Sequence, residues 1–319
     1  MPEVQTVQGA VDAGDLGVVL AHEHVRFRDE AVVAQWPERY DEQAELDAAL
    51  EAVGGAKSKG VETIVDATAM FGGRDVRFMK QVADQTGVRI VACTGIYSYD
   101  YLPHYFENRD VETMADHFVA DIERGIQGTG IRAAFLKCAA DAPGVTENVE
   151  KIHRAVARAS VLTGAPIMAH SMPAVATGPR QVEIFVEEGV DLSRVQIAHC
   201  GDTDDVDYIE TLLARGVYVG LDRYGLEMFL PIDKRNATAA ELLRRGHAER
   251  LIISQDYCAS IDWFPAEAAE AFASQGAIRN WSMTLVFDEV VPALQELGVM
   301  DDATFRTIFV ENPRRWLTA

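Results

Sequence analysis

The chain has 319 residues, 48% of them hydrophobic, and a formal net charge of −21. That balance argues against nucleic acid as a partner, because gripping a phosphate backbone needs clustered Lys and Arg; a solvated acidic surface explains it. With no apolar run of membrane-spanning length and no basic-then-apolar leader, neither membrane association nor a signal peptide is expected, and the location is read as cytoplasmic.

Short β-branched runs alternate with segments of helical period, a pattern that predicts a parallel sheet. The first predicted strand, 17–24, runs out in His22-Glu23-His24. Alternate residues of a strand share a face, so both imidazoles can reach one ion. Taken alone, such a pair is equally well explained by satisfied or surface histidines. Leu46, Leu50 and Val53 stripe a helix that Gly60 ends, and the second strand covers 61–68. The third, 89–97, follows Gly87 and ends on Tyr97. The fourth, 132–139, carries Lys137 in phase with Ala133 and Phe135, so the face that buries a phenyl ring also receives an amine. Burying an unpaired ammonium depresses its pKa by up to several units, each about 1.4 kcal/mol. Such a cost points to use, either in Schiff-base chemistry or as a carbamate formed with carbon dioxide; the surrounding histidines favour the carbamate.

A helix striped by Val149, Ile152 and Val156 ends at Gly164 and leads into the fifth strand, 165–171, which carries His170 after Ile-Met-Ala. The sixth, 195–201, carries His199 after Gln-Ile-Ala. Val206, Ile209 and Leu213 stripe the next helix, which Gly216 ends before the seventh strand, 218–225, with Arg223. The eighth, 251–258, carries Asp256 after Leu-Ile-Ile-Ser-Gln, and 282–298 and 301–317 are predicted as closing helices. Eight strands predict a single (β/α)8 TIM barrel over 1–319, a fold of about 250 residues plus insertions, although a doubly wound open sheet gives the same alternation. His22, His24, His170, His199 and Asp256 all fall at the C-terminal ends of strands, where barrel enzymes assemble their sites. The other histidines, His104, His117, His153 and His247, read as surface or capping residues in loops and helices.

Together, His22-Glu23-His24, Lys137, His170, His199 and Asp256 resemble the binuclear site of the amidohydrolase superfamily, and of the phosphotriesterase family within it. The segments Thr94-Gly95-Ile96-Tyr97, Gly201-Asp202-Thr203-Asp204, Gly220-Leu221-Asp222-Arg223-Tyr224-Gly225 and Glu311-Asn312-Pro313 resemble its phosphotriesterase-like lactonases. The likeness runs nearly the whole length. It is close to the bacterial N-acyl-homoserine lactonases, which degrade quorum-sensing signals and show side activity on organophosphate triesters. The resemblance implies two divalent cations, with His22, His24 and Asp256 on the more buried one and His170 and His199 on the more exposed one. Carbamylated Lys137 would bridge both. It further implies a shared hydroxide as nucleophile, since a bound metal brings the pKa of water to about 7, with Asp256 passing the proton to the leaving alkoxide. Tyr97 and Arg223 would position or polarise the lactone, and the assembly would be a homodimer. Zinc is the expected metal; cobalt, manganese or iron suit the same ligands.

Cys93, Cys138, Cys200 and Cys258 are far apart and form no C-x-x-C pair, which suits a reducing compartment. Cys138 and Cys200 each follow a ligand, so alternation turns them outward; Cys258 shares the inward face of Asp256 and should line the pocket. In the long segment 258–283, Ile261, Trp263, Phe264 and Trp281 suggest an apolar channel for an acyl chain, or else a packed loop or dimer contact. Phe229 and Leu230 suit either arrangement, and Phe229 is taken with Trp263 and Cys258 as pocket-lining. Gln255, Ala67, Met172 and Ala174 depart from the family pattern; none removes a ligand, and they bear on loop shape and acyl length. Three readings follow: a lactonase with weaker phosphotriesterase activity, a dedicated phosphotriesterase, and a non-catalytic metal-binding barrel. The quick passage of 226–235 into a helical pattern favours the first over the second, and the complete ligand set argues against the third.

Overall fold

The computed structural model describes residues 2–318. An antiparallel hairpin, β1 (Glu3–Thr6) and β2 (Gly9–Asp12), precedes eight parallel strands: β3 (Val18–Glu23), β4 (Val61–Asp66), β5 (Arg89–Gly95), β6 (Phe135–Ala139), β7 (Ile167–His170), β8 (Val195–Ala198), β9 (Tyr218–Leu221) and β10 (Leu251–Ile253). Each pairs with the next in chain order. The last returns to the first at its C-terminal end, where His24 and Cys258 form a parallel bridge. There His24 N–H donates to Tyr257 O at 2.8 Å and Asp256 N–H to His22 O at 3.1 Å. The barrel seam therefore runs between residues that converge on its mouth.

Inside the barrel, Val19, Val65, Val91, Phe135, Met168 and Ile252 pack onto Trp316, while the hairpin residue Val4 and Leu16 plug the same end. With the N-terminal end stoppered, the C-terminal end is left as the place for a site. Cys138 and Cys200 lie in the apolar layer between sheet and helices; alternation puts Cys138 there, whereas Cys200 sits in the turn that follows β8. No helix among the described residues is long and apolar enough to cross a membrane.

Differences from the sequence reading have local causes. The hairpin was not predicted, because strands of four residues carry too short an alternation to register. The ladders of β9 and β10 stop at Leu221 and Ile253, short of the predicted ends, because the chain leaves the sheet to turn polar side chains inward. The closing helices contain wide π turns at Val286–Val290 and Thr307–Glu311. Just past the second, buried Asn312 donates from Nδ2 to Ala248 O and Leu251 O, both at 2.7 Å, clamping the start of β10. His153 is neither surface nor cap. Its helix, Glu147–Thr163, packs between Val111–Glu123 and Thr177–Glu187, so the ring is fully buried; Nδ1–H donates to Val149 O at 2.7 Å and Nε2 accepts from Gln181 at 2.9 Å.

Gly95 pairs with Lys137 between β5 and β6 and has φ +123°. A Cβ there would sit 1.9 Å from Lys137 O, so only glycine lets β5 approach the strand that carries the buried lysine. Gly95→Ala is expected to destabilise the protein by about 3 kcal/mol or more, from backbone strain plus overpacking. Urea denaturation measures this, and a wild-type midpoint would refute it.

Candidate metal centre

Two local breaks in strand regularity aim the ligand candidates. In β3, Val19 and Ala21 face the barrel interior and Leu20 the helices. A register shift between Leu20 and Glu23 then reverses that parity, turning His22 and His24 inward and Glu23 outward. His199 follows interior-facing Ala198 and would point outward in a regular strand; its left-handed backbone, φ 66°, swings it back. Asp256 also has positive φ, 53°. Such strain in non-glycine residues persists where the surroundings over-determine it and clusters at functional sites. Lys137 and His170 need no such device, being in phase with Phe135 and Met168.

The structure brings all six predicted ligands together. Ring centroids lie 4.4 Å apart for His170 and His199, 4.9 Å for His22 and His199, and 5.8 Å for His22 and His24. The Asp256 carboxylate is 3.0 Å from His24 Nε2, 3.3 Å from His22 Nε2 and 3.8 Å from His199 Nε2. Lys137 Nζ sits 3.0 Å from His22 Nε2 and 3.3 Å from Met168 Sδ. One ligand atom each from His22, His199 and Asp256 falls within 4.8 Å of the others.

An outer ring of partners, which the sequence reading did not assign, sets the tautomers. Asp222, fully buried, accepts from His22 Nδ1–H at 2.8 Å on one oxygen and from His199 Nδ1–H at 2.9 Å on the other. Asp141 accepts from His170 Nε2–H at 2.7 Å, and Thr68 Oγ1 lies 2.7 Å from His24 Nδ1. Gly220 makes room for Asp222, since a Cβ there would meet Oδ2 at 2.3 Å. Glu23 joins the seam: one oxygen accepts from Ser254 Oγ at 2.6 Å and Gln255 Nε2 at 2.8 Å, the other from Tyr257 N–H at 2.9 Å. A conspicuous signal for Asp222 was its place in the quoted Gly220 to Gly225 motif.

Burial keeps this cluster neutral where it can be. It pushes His170 down to about 4, and pushes His199 well below and His22 below the usual imidazole value; nearby Arg223 and Lys137 respectively add to this. Lys137 is likewise lowered by burial. Burial opposes the charges on Asp222 and Asp256, but the adjacent histidines outweigh it, and Arg223 assists at Asp256; both stay well below the ordinary carboxylate range.

These residues fit divalent cations. Because Asp222 can only accept, His22 and His199 carry their protons on Nδ1, and their Nε2 lone pairs face the Asp256 carboxylate with no proton between. Acceptors set against a carboxylate in a dry site need a cation between them. Neutral imidazoles with one nitrogen tied to an outer carboxylate are the usual form of metal-binding histidine.

Above the cluster opens a cavity of about 290 Å³. Tyr97, Tyr99, Arg223 and Cys258 line it near the ligands, with Phe229 and Trp263 at a partly exposed rim; Leu226, Ile261, Phe264 and Trp281 complete an apolar wall. Leu230 is buried away from it. Tyr97 and Tyr99 hydroxyls are 2.5 Å apart, and Tyr97 lies 3.5 Å from His170 Nδ1. Arg223 Nε donates to Asp256 Oδ2 and its Nη1 to Asp202 Oδ2, both at 3.0 Å.

Comparison with known proteins gives a match to the model of the phosphotriesterase family over residues 2–317. The chain is 46% identical to an aryldialkylphosphatase of Saccharolobus solfataricus over 309 residues, covering 97% of each chain. It is 42% identical to a phosphotriesterase homology protein of Mycobacterium tuberculosis, covering 99% of this chain and 97% of the other. A solved structure of the phosphotriesterase from Mycobacterium tuberculosis superposes with a TM-score of 0.93 at 42% identity, covering 99% of this chain and 98% of that one.

Asp222→Asn is expected to preserve the fold while offering one histidine a donor where it needs an acceptor. Metal affinity should fall about 10- to 100-fold. Metal analysis after dialysis against graded chelator reads this, with circular dichroism as the fold control; undiminished metal retention would refute the role given to Asp222.

Proposed function

Because the chain belongs to the phosphotriesterase family, we propose that this hydrolase opens the lactone ring of N-acyl-homoserine lactones, with weaker activity on phosphotriesters. The observation that carries the reading is a buried cluster of metal-ligating side chains at the foot of an apolar cavity, with Tyr97 and Arg223 at the junction between them.

In this reading His22, His24 and Asp256 would hold one divalent cation and His170 and His199 the other, carbamylated Lys137 would complete both sites, and zinc would be the metal. When bound, the ions supply a water acidic enough to attack near neutral pH and a Lewis acid for the carbonyl. Asp256 takes the proton of the attacking water and hands it to the ring oxygen as the ester bond breaks. Arg223, whose cation Asp202 and Asp256 sustain against its burial, holds that carboxylate ionised and oriented. Burial keeps the Tyr97 phenol protonated well above its usual range, so its hydroxyl serves as a donor to the lactone. Leu226, Phe229, Ile261 and Trp263 give the acyl chain an apolar wall, and burying each methylene there is worth about 0.8 kcal/mol. The same reading includes a homodimer.

A second reading, a dedicated phosphotriesterase, is favoured by the name of the Saccharolobus solfataricus relative. Against it, the segment after β9 passes into a helix by Ile232, and Phe229 is the aromatic ring it brings to the cavity.

One metal-loaded preparation should be assayed with a short and a long acyl-homoserine lactone and with paraoxon. Lactone kcat/KM is expected to exceed that for paraoxon by about tenfold or more, some 1.4 kcal/mol in barrier. Faster triester hydrolysis would reverse the order of the two readings. Asp256→Asn should lower lactone kcat by about 100-fold or more, and chelation should abolish turnover.

A further inference from the structure

Arg235 lies in the first turn of the helix Ile232–Arg244 and is 3% exposed, yet lines no part of the cavity. Its guanidinium is spread over four acceptors. Nε donates to Leu230 O at 2.8 Å and Nη1 to Gly201 O at 2.7 Å; Nη2 donates to Asp202 Oδ1 at 2.8 Å and Leu226 O at 3.3 Å. Two of these acceptors bracket the segment 226–230, which supplies Leu226 and Phe229 to the cavity wall. The other two belong to the turn after β8, whose Asp202 holds Arg223 Nη1 on its remaining oxygen at 3.0 Å. Phe229 closes the circuit, its ring 4.7 Å from the Arg223 guanidinium.

We propose that Arg235 is a positioning residue that ties the acyl-binding wall to the Asp202–Arg223 pair, so that chain-length selectivity and the aim of Arg223 are set together. Apart from Arg235, the wall segment is held mostly by its own turns and the start of its helix: Leu226 N–H donates to Arg223 O at 3.3 Å, Phe229 N–H to Leu226 O at 3.2 Å and Ile232 N–H to the Glu227 carboxylate at 3.1 Å, while Met228 N–H reaches across to Ala277 O at 3.0 Å. Loss of the guanidinium therefore frees Leu226 and Phe229 more than it disturbs the barrel. A lysine cannot substitute fully, because one ammonium on a flexible stem cannot span acceptors on both sides of a planar fork.

The selectivity arm rests on the lactonase reading, and the test separates the two. Arg235→Met and Arg235→Lys are prepared as full-length, metal-loaded protein. Hydrogen exchange of the amides at 226–230 should accelerate about tenfold or more in Arg235→Met and less in Arg235→Lys. The ratio of kcat/KM for long- over short-chain lactone should fall about tenfold in Arg235→Met, through KM for the long substrate, with a drop in kcat common to both. If Arg235→Met does not fold, Arg235→Lys is read alone for the same changes in smaller size. A folded variant with wild-type exchange at 226–230, or with faster exchange and an unaltered chain-length ratio, overturns the proposal. If the wild-type protein opens neither lactone, the lactonase reading fails, and the exchange measurement still decides whether Arg235 holds the wall.

Discussion

One buried carboxylate governs the geometry of the whole centre. Asp222 has no exposure, and each of its oxygens is taken by a different histidine. A group that can only accept forces both protons onto Nδ1, and both Nε2 lone pairs must then face inward. One oxygen also accepts from His199 N–H at 2.7 Å, which stabilises the left-handed backbone that turns that residue toward the cluster. Ring orientation, tautomer and backbone conformation at two positions 177 residues apart in sequence thus depend on one side chain.

The seam of the barrel serves the site in the same way. Glu23, pointed away from the ligands by the shift in β3, draws the end of β10 to itself through Ser254, Gln255 and Tyr257. Burial raises its pKa well above the usual range, against those hydrogen bonds. Asn312 anchors the other end of β10. Asp256 is therefore fixed between two clamps, neither of which touches it. A strained residue can hold a functional conformation only under that kind of constraint.

The charge distribution follows from the same demand for dryness. The chain as a whole is strongly acidic, while the charges beneath the mouth occur in compensated sets such as Asp202 between Arg223 and Arg235. An unpaired charge in that position would cost several kcal/mol. The surface that faces water carries the acidic excess at little penalty.

Alternation and helical stripes were enough to read eight strands and the end at which the site is built, because strand period and helix period are local properties of the backbone; they left barrel and open sheet as alternatives, which the closure of β10 onto β3 decides. They also marked Lys137 as inward, since it is in phase with Ala133 and Phe135. The same rule would have turned His22, His24 and His199 away from the centre; only a shift in register and a left-handed residue reverse it, and neither leaves a mark in residue spacing. Histidine and aspartate types therefore pointed to a metal, while which nitrogen each offers was decided by Asp222, Asp141 and Thr68. Those partners come from other strands and loops. A hydrogen bond between residues far apart in sequence exists only once the barrel has closed.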